Sequence, residues 1–248
     1  MIIPRTHPRA LSLQIREKLV QGCRSGLVAY EGLIAHGRGE TFDYLIGEKT
    51  SKNALKAIKA AAWTLVLARS PVISVNGNLA ALCAQEIVLL AKTTNARIEV
   101  NLFYLSEKRK MKIANVLKKY GAKEILGLDS NFSKIIPKLD SARRVVDKRG
   151  IFSADVILVP LEDGDRTIAL KKFGKKVITF DLNPLSRTAQ TADITIVDNV
   201  TRGMKLLIDF CKRFKKKKLM MMPNFDNKKN LAQSLLLVKK NLDRMAYA

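Results

Sequence analysis

The chain has 248 residues, with 45 basic against 22 acidic side chains and a formal charge of +23. Hydrophobic residues make up 47% and charged residues 27%, the balance of a globular chain that buries one sizeable core. Charged side chains break every apolar run before the roughly 18 residues a membrane span needs, and the first ten residues hold no apolar signal core, so a cytoplasmic protein without a membrane partner is expected. Three dispersed cysteines (Cys23, Cys83, Cys211) and two histidines (His7, His36) argue against a disulfide framework, a cysteine-based zinc site and a histidine metal cage. The positive excess suits nucleic acid, an anionic substrate or lysine-rich helix faces. With aromatics at 6% and no finger, RRM or basic-zipper pattern, no specific nucleic-acid partner is expected.

Leu11, Ile15, Leu19 and Val20 recur at helical spacing and predict a first amphipathic helix that projects Arg16. Residues 32–39, with HGRGE, read as a glycine-rich connector, and 50–69 as an alanine-rich helix carrying Trp63. From Pro71 the rhythm changes to alternating strands and helices. Strands are expected at 72–75, 97–103, 124–128, 155–160, 176–180 and 194–197. Helices are expected at 79–93, 106–120, 165–173, 201–214 and 229–245. Apolar strands separated by helices of this length imply βαβ units and a parallel sheet covered on both faces. The expected fold is α/β: a single Rossmann-like three-layer domain over 1–248 with a mainly parallel sheet. An N-terminal helical extension (1–69) packs on it, and a basic tail from Lys215, through the Lys215–Lys218 run and the MMM segment, leads to a C-terminal helix.

In open parallel sheets ligands bind beyond the carboxyl ends of the strands, so the loops leaving the strands are where chemistry is sought. VNGN places Asn76, Gly77 and Asn78 at a helix start, as a cap through Asn78 or as amides for a substrate anion. Absence of GxGxxG and of GxxxxGK[ST] excludes a standard dinucleotide fold and a P-loop. In HGRGE, Arg38 stands between two glycines and can bend over an anion. His36 is either a general base or phosphate donor, or a capping or packing group. EDGDR gathers Glu162, Asp163 and Asp165 just after a strand, as helix caps or as Mg²⁺ partners. DLNPLSRT ends a buried strand with Asp181. A turn accounts for Asn183 and Pro184, while Ser186, Arg187 and Thr188 remain as phosphate donors.

The blocks IPRTHPR, IREKLV, GLIAHGRGE, FDYLIGEKT, VISVNGN, RGIFSADVILVPLEDGDR and DLNPLSRTA occur in order, and together the chain resembles archaeal phosphopantothenate synthetases (4-phosphopantoate–β-alanine ligases). The resemblance implies a homodimeric ligase of coenzyme A biosynthesis. It would use ATP with Mg²⁺ to join 4-phosphopantoate to β-alanine, releasing AMP and diphosphate. It also implies that Arg16, Arg38, Asp181, Leu182, Asn183, Arg187, Thr188, Asn199 and Val200 contact ATP. Arg38, His36 and Asp163 stand as catalytic candidates, and no metal ligand is assigned. Such chemistry needs no side-chain nucleophile, in keeping with the lack of a Ser–His–Asp or Cys–His arrangement. Arg5, His7 and Arg9 are near enough to the N-terminus to reach a neighbouring subunit.

Overall fold

The computed structural model describes residues 4, 6–7, 9–217 and 224–247. Five strands, β1 (Pro71–Val75), β2 (Arg97–Val100), β5 (Val156–Leu158), β6 (Lys176–Phe180) and β7 (Ile194–Ile196), form a wholly parallel sheet in the order β2-β1-β5-β6-β7. Residues of β1 are buried throughout, as an interior strand flanked on both faces requires. The odd and even positions divide the core. Ile73, Leu158, Ile178 and Phe180 face helices α3 (Lys52–Leu67), α4 (Gly77–Thr94), α5 (Glu107–Lys119) and α8 (Val200–Lys217). Val72, Ile157 and Val177 face Ala169 and Leu170 of α6 (Gly164–Lys172) together with Ile136, Val146 and Ile151. This is the three-layer α/β architecture expected, and the strand order places its reversal between β1 and β5.

Of the N-terminal helices, α1 (Ala10–Arg24) lies on α4, whereas α3 belongs to the core layer itself. Ala57, Ala60, Ala61 and Ala62 are fully buried there, and Trp63 meets Phe214 of α8 edge-on at 5.6 Å between ring centroids. Small side chains let α3 and α8 approach closely. Helix α9 (Asn227–Ala246) closes the β7 edge, where Asn227 and Asn230 bond the backbone of Ala189, Ala192 and Thr195.

Four expectations need correction. Residues 32–39 are not a connector: they lie inside α2 (Tyr30–Ile46), a helix held by tertiary contacts in spite of three glycines that each cost about 1 kcal/mol. The strand expected at 124–128 reduces to a single bridge between Leu126 and Glu99, because Gly127 turns away at φ 83°. Between α5 and β5 a short antiparallel hairpin, β3 (Ser133–Ile135) and β4 (Val145–Asp147), was not foreseen; its strands are only three residues long. Lys215–Lys217 continue α8 rather than forming a spacer, while Lys218 and the MMM segment lie outside the described residues.

Candidate functional site at the carboxyl rim

Helix α2 runs across the carboxyl ends of the strands. Near its start the Gly32 carbonyl accepts a bond from Asn78 Nδ2 (2.8 Å), just after β1. Further along, Phe42 and Ile46 pack with Leu182, which follows β6. Asp43 accepts from Asn199 Nδ2 (3.1 Å), which follows β7. Eleven residues of helix span about 16 Å, and the three inter-strand steps from β1 to β7 span about 14 Å. The helix is therefore the right length to bridge the rim.

A buried ionic lock fixes the β7 end of α2. Arg202 Nη2 donates to Asp43 Oδ1 (2.6 Å) and to Asp198 Oδ1 (2.7 Å), and Thr50 Oγ1 donates to Asp198 Oδ2 (2.7 Å). Burial raises the Asp198 pKa, against the pull of Arg202 and Thr50. Beside this lock, Arg16 Nε donates to both Glu40 oxygens (3.0 and 2.9 Å), and Tyr44 Oη accepts from Arg16 Nη2 (3.2 Å). Arg9 also reaches Tyr44 within the same chain (3.2 Å), while Arg5 lies outside the described residues. His36, one turn before Glu40, is half-buried. Desolvation lowers its pKa, which favours the neutral imidazole, and among the described residues its buried Nε2 has no partner. Arg38 is exposed on the same helix and makes no ion pair among the described residues.

The switch point between β1 and β5 is tied by Asn76. Its Oδ1 accepts Leu79 N–H (2.9 Å), and its Nδ2 donates to the carbonyls of Pro160 (3.1 Å) and Leu161 (3.2 Å). Leu161 is held at φ 57°, a left-handed conformation that costs a residue with a β-carbon about 1–2 kcal/mol. So Asn76, not Asn78, caps α4. The space beside Gly77 is taken by the Leu27 carbonyl rather than being open to a phosphate. What these residues retain for a ligand is the pair of free backbone N–H groups at the start of α4. Beneath the loop, buried Glu162 binds both Arg143 and Arg166, and Arg166 Nη1 also reaches Ser74 Oγ (3.1 Å). Burial pushes the two guanidinium pKa values down, Arg143 to about 9 and Arg166 to about 10, which leaves both cationic at neutral pH.

The remaining predicted residues gather at the ends of β6 and β7. Asp181 Oδ1 accepts Asn183 N–H (2.9 Å) and its other oxygen accepts Ser186 Oγ; burial raises its pKa. Asn183 Oδ1 accepts Leu185 N–H (2.9 Å), so both side chains shape the loop. Thr188 is buried and donates to the Glu162 carbonyl (2.8 Å), a structural role the sequence did not disclose. Leu182, Asn199 and Val200 are buried too, so their side chains are turned into the fold. Arg187 is 80% exposed; it packs beside Gly164, and among the described residues its guanidinium pairs with the exposed Asp165 at 3.3 Å. Asp163 stands at the N-cap of α6 without capping it, 3.6 Å from Arg143 Nε. Sequence reasoning overlooked Asp43, Arg143 and Arg202. For Arg202 a signal existed: it lies four residues after Asp198, the spacing at which helix-borne charges meet.

Among the described residues no helix is long and apolar enough to cross a membrane, and no three His, Cys, Asp or Glu side chains cluster as a metal cage. The profile of the phosphopantothenate/pantothenate synthetase family matches residues 53–241. The chain belongs to this family. Within it, a protein of Thermococcus kodakarensis named 4-phosphopantoate–β-alanine ligase is 51% identical, over 98% of this chain and 95% of its own length. Proteins of the same name from Thermococcus onnurineus and Methanosarcina mazei are 49% and 48% identical, each over 98% of this chain and 95% and 97% of their own lengths. The family resemblance read from the blocks GLIAHGRGE, VISVNGN and DLNPLSRTA thus extends over nearly the whole chain.

Proposed function

We infer that this chain is a 4-phosphopantoate–β-alanine ligase of coenzyme A biosynthesis, driven by ATP. The near-full-length likeness to archaeal ligases of that name is the observation that carries the reading. A carboxylate is a poor acyl donor. Attack of its oxygen on the α-phosphorus of ATP expels diphosphate and leaves an acyl-adenylate. The neutral amine of β-alanine then forms the C–N bond, the C–O bond to AMP breaks, and the amine gives up a proton.

The chain's own groups are suited to positioning and charge neutralisation. Arg38 and Arg187 are free enough to reach phosphates. Arg16 comes to them already oriented by Glu40 and Tyr44. The backbone N–H groups of Leu182, Thr188 and Val200 offer donors along β6 and β7, while those of Asn183 and Asn199 are bonded to Asp181 and Asp198. His36, with its neutral form favoured and Nε2 unpartnered among the described residues, is a candidate to take the amine's proton. Thiolate formation at Cys83 and Cys211 is disfavoured, because burial pushes both up to about 12. Mg²⁺ is commonly held by one or two carboxylates together with substrate phosphates, and the exposed carboxylates Asp163 and Asp165 at the rim fit that mode. There the ion would neutralise phosphate charge.

One reaction with ATP, phosphopantoate and β-alanine, with each omitted in turn, tests the reading. AMP and phosphopantothenate are expected in equal amounts, whereas ADP in their place would refute the adenylate. Replacing phosphopantoate by pantoate separates the two activities in the family's name. We read the enzyme as a cytoplasmic homodimer, as the resemblance implies, and its mass in solution checks the dimer.

A further inference from the structure

Beyond the carboxyl end of β2, a cavity of about 420 Å³ contains none of the residues assigned above to the nucleotide. Its size falls in the range of small-molecule sites. Val100, Leu102 and Val146 supply an apolar wall, and the hairpin β3–β4 closes one side through Ser133 and Val145. Asn101 N–H donates to the Val75 carbonyl (3.0 Å), which sets the cavity one strand away from the switch point at Asn76.

Asn101 is the informative residue. It is only 4% exposed, and its Nδ2 is committed to the carbonyls of Arg143 (3.4 Å) and Val145 (2.9 Å) in the cavity wall. Among the described residues its buried Oδ1 has no partner. Buried carbonyls are nearly always paired, and this one sits on a residue that lines the cavity, so a small turn of the amide offers it to a ligand's N–H. The charges around it have both signs. Lys110 and the start of α5, where Ser106 Oγ caps only Arg109 N–H, favour a carboxylate. Asp129 favours a cation. Glu107 pairs with Lys110 at 3.0 Å, and Asp147 is already matched by Arg149 at 2.8 Å. With Glu107 and Asp147 paired, Asp129 is the charge left over at the wall, so a phosphate dianion is disfavoured against a ligand of no net charge. A short zwitterion suits the walls: its ammonium reaches Asn101 Oδ1 and Asp129, its methylenes lie on Val100 and Val146, and its carboxylate turns to Lys110.

We propose that this cavity binds the amino-acid co-substrate, β-alanine, a subsite that rests on the ligase reading above. The amine is thereby presented from the β2 side to an acid activated over β1 and β5.

Two variants test it: Lys110→Met removes the cation, and Ala142→Phe fills part of the space from a lining position. The KM for β-alanine should rise at least tenfold in each, with the KM values for ATP and phosphopantoate within twofold of wild type. ATP–diphosphate exchange dependent on phosphopantoate, which needs no amine, should keep its rate. An unchanged β-alanine KM in both variants overturns the subsite, as does a rise confined to phosphopantoate or ATP. Saturation-transfer NMR of β-alanine with the intact protein decides independently of turnover: transfer lost in Ala142→Phe supports the site, and transfer retained in both variants refutes it. Were wild-type enzyme to show no exchange, the adenylate mechanism would fail while the NMR result still judged the cavity.

Discussion

Two buried ionic networks lie along one rim of the sheet, and they differ in how completely they are satisfied. At the β7 end, Asp43 and Asp198 share Arg202, with Thr50 and Asn199 completing their bonds. At the β5 end, one carboxylate, Glu162, serves both Arg143 and Arg166, and among the described residues Arg143 Nε, Arg166 Nε and Arg166 Nη2 have no hydrogen-bond partners. The first network is a clamp that fastens α2 over the strand ends. The second keeps charge in reserve below the switch point, beside a strained Leu161. The contrast teaches that the two ends of one rim hold buried charge differently, closed at β7 and with donors left open at β5.

Breaking the second network should cost most. Glu162→Gln leaves two buried guanidinium groups without their shared counter-charge, and a loss of about 3–5 kcal/mol is expected in chemical denaturation. A change below 1 kcal/mol would mean that Asp163 and Glu99 already balance the pair.

Glu99 sharpens the comparison through pH. Burial drives its carboxyl from 4.5 up to about 7, against two backbone N–H bonds from Ile151 and Asp147 and the nearby Arg166. The unfolded carboxyl loses its proton near 4.5 while the folded one keeps it until about 7, so the unfolded state binds fewer protons across that window. Stability should therefore fall as pH rises from 4.5 to 7, by about 3 kcal/mol at most. Melting curves of Glu99→Gln should lack this component of the slope. A wild type whose stability rises steeply through the same window would contradict the assignment.

Loosening the clamp should have a smaller effect on stability. Asp43→Asn keeps one acceptor but removes the charge facing Arg202, for a loss of about 1–3 kcal/mol. The signature that marks it as more than structural is a raised KM for ATP, because Asn199 and α2 lose their common anchor. Smallest in stability is Arg38→Ala, an exposed substitution expected to stay within about 0.5 kcal/mol while lowering kcat/KM roughly a hundredfold. Equal activity would remove Arg38 from the site.

The sheet was legible because its signal is local. Apolar runs such as Pro71–Val75 and Lys176–Phe180, separated by helical periods, name their own structure. Helix α2 was not legible: glycines at 32, 37 and 39 weaken its propensity, and its reasons for being a helix sit elsewhere, at Asn78, Leu182 and Asn199. The loops after β1, β5, β6 and β7 do lie along one rim, as parallel strands require. The roles within them did not follow, since Thr188 answers to Glu162 and Asn199 to Asp43, partners 26 and 156 positions away. An arginine such as Arg143, in a stretch for which no element is expected, offers no periodic signal at all.

The claim that the nucleotide lies under α2, along the ends of β6 and β7, is tested most directly by hydrogen exchange with and without ATP. Slowed exchange is predicted in α2, at residues 181–188 and at the start of α8, with the hairpin β3–β4 unaffected. Protection confined to the hairpin, or absent from α2 and residues 181–188, would contradict it.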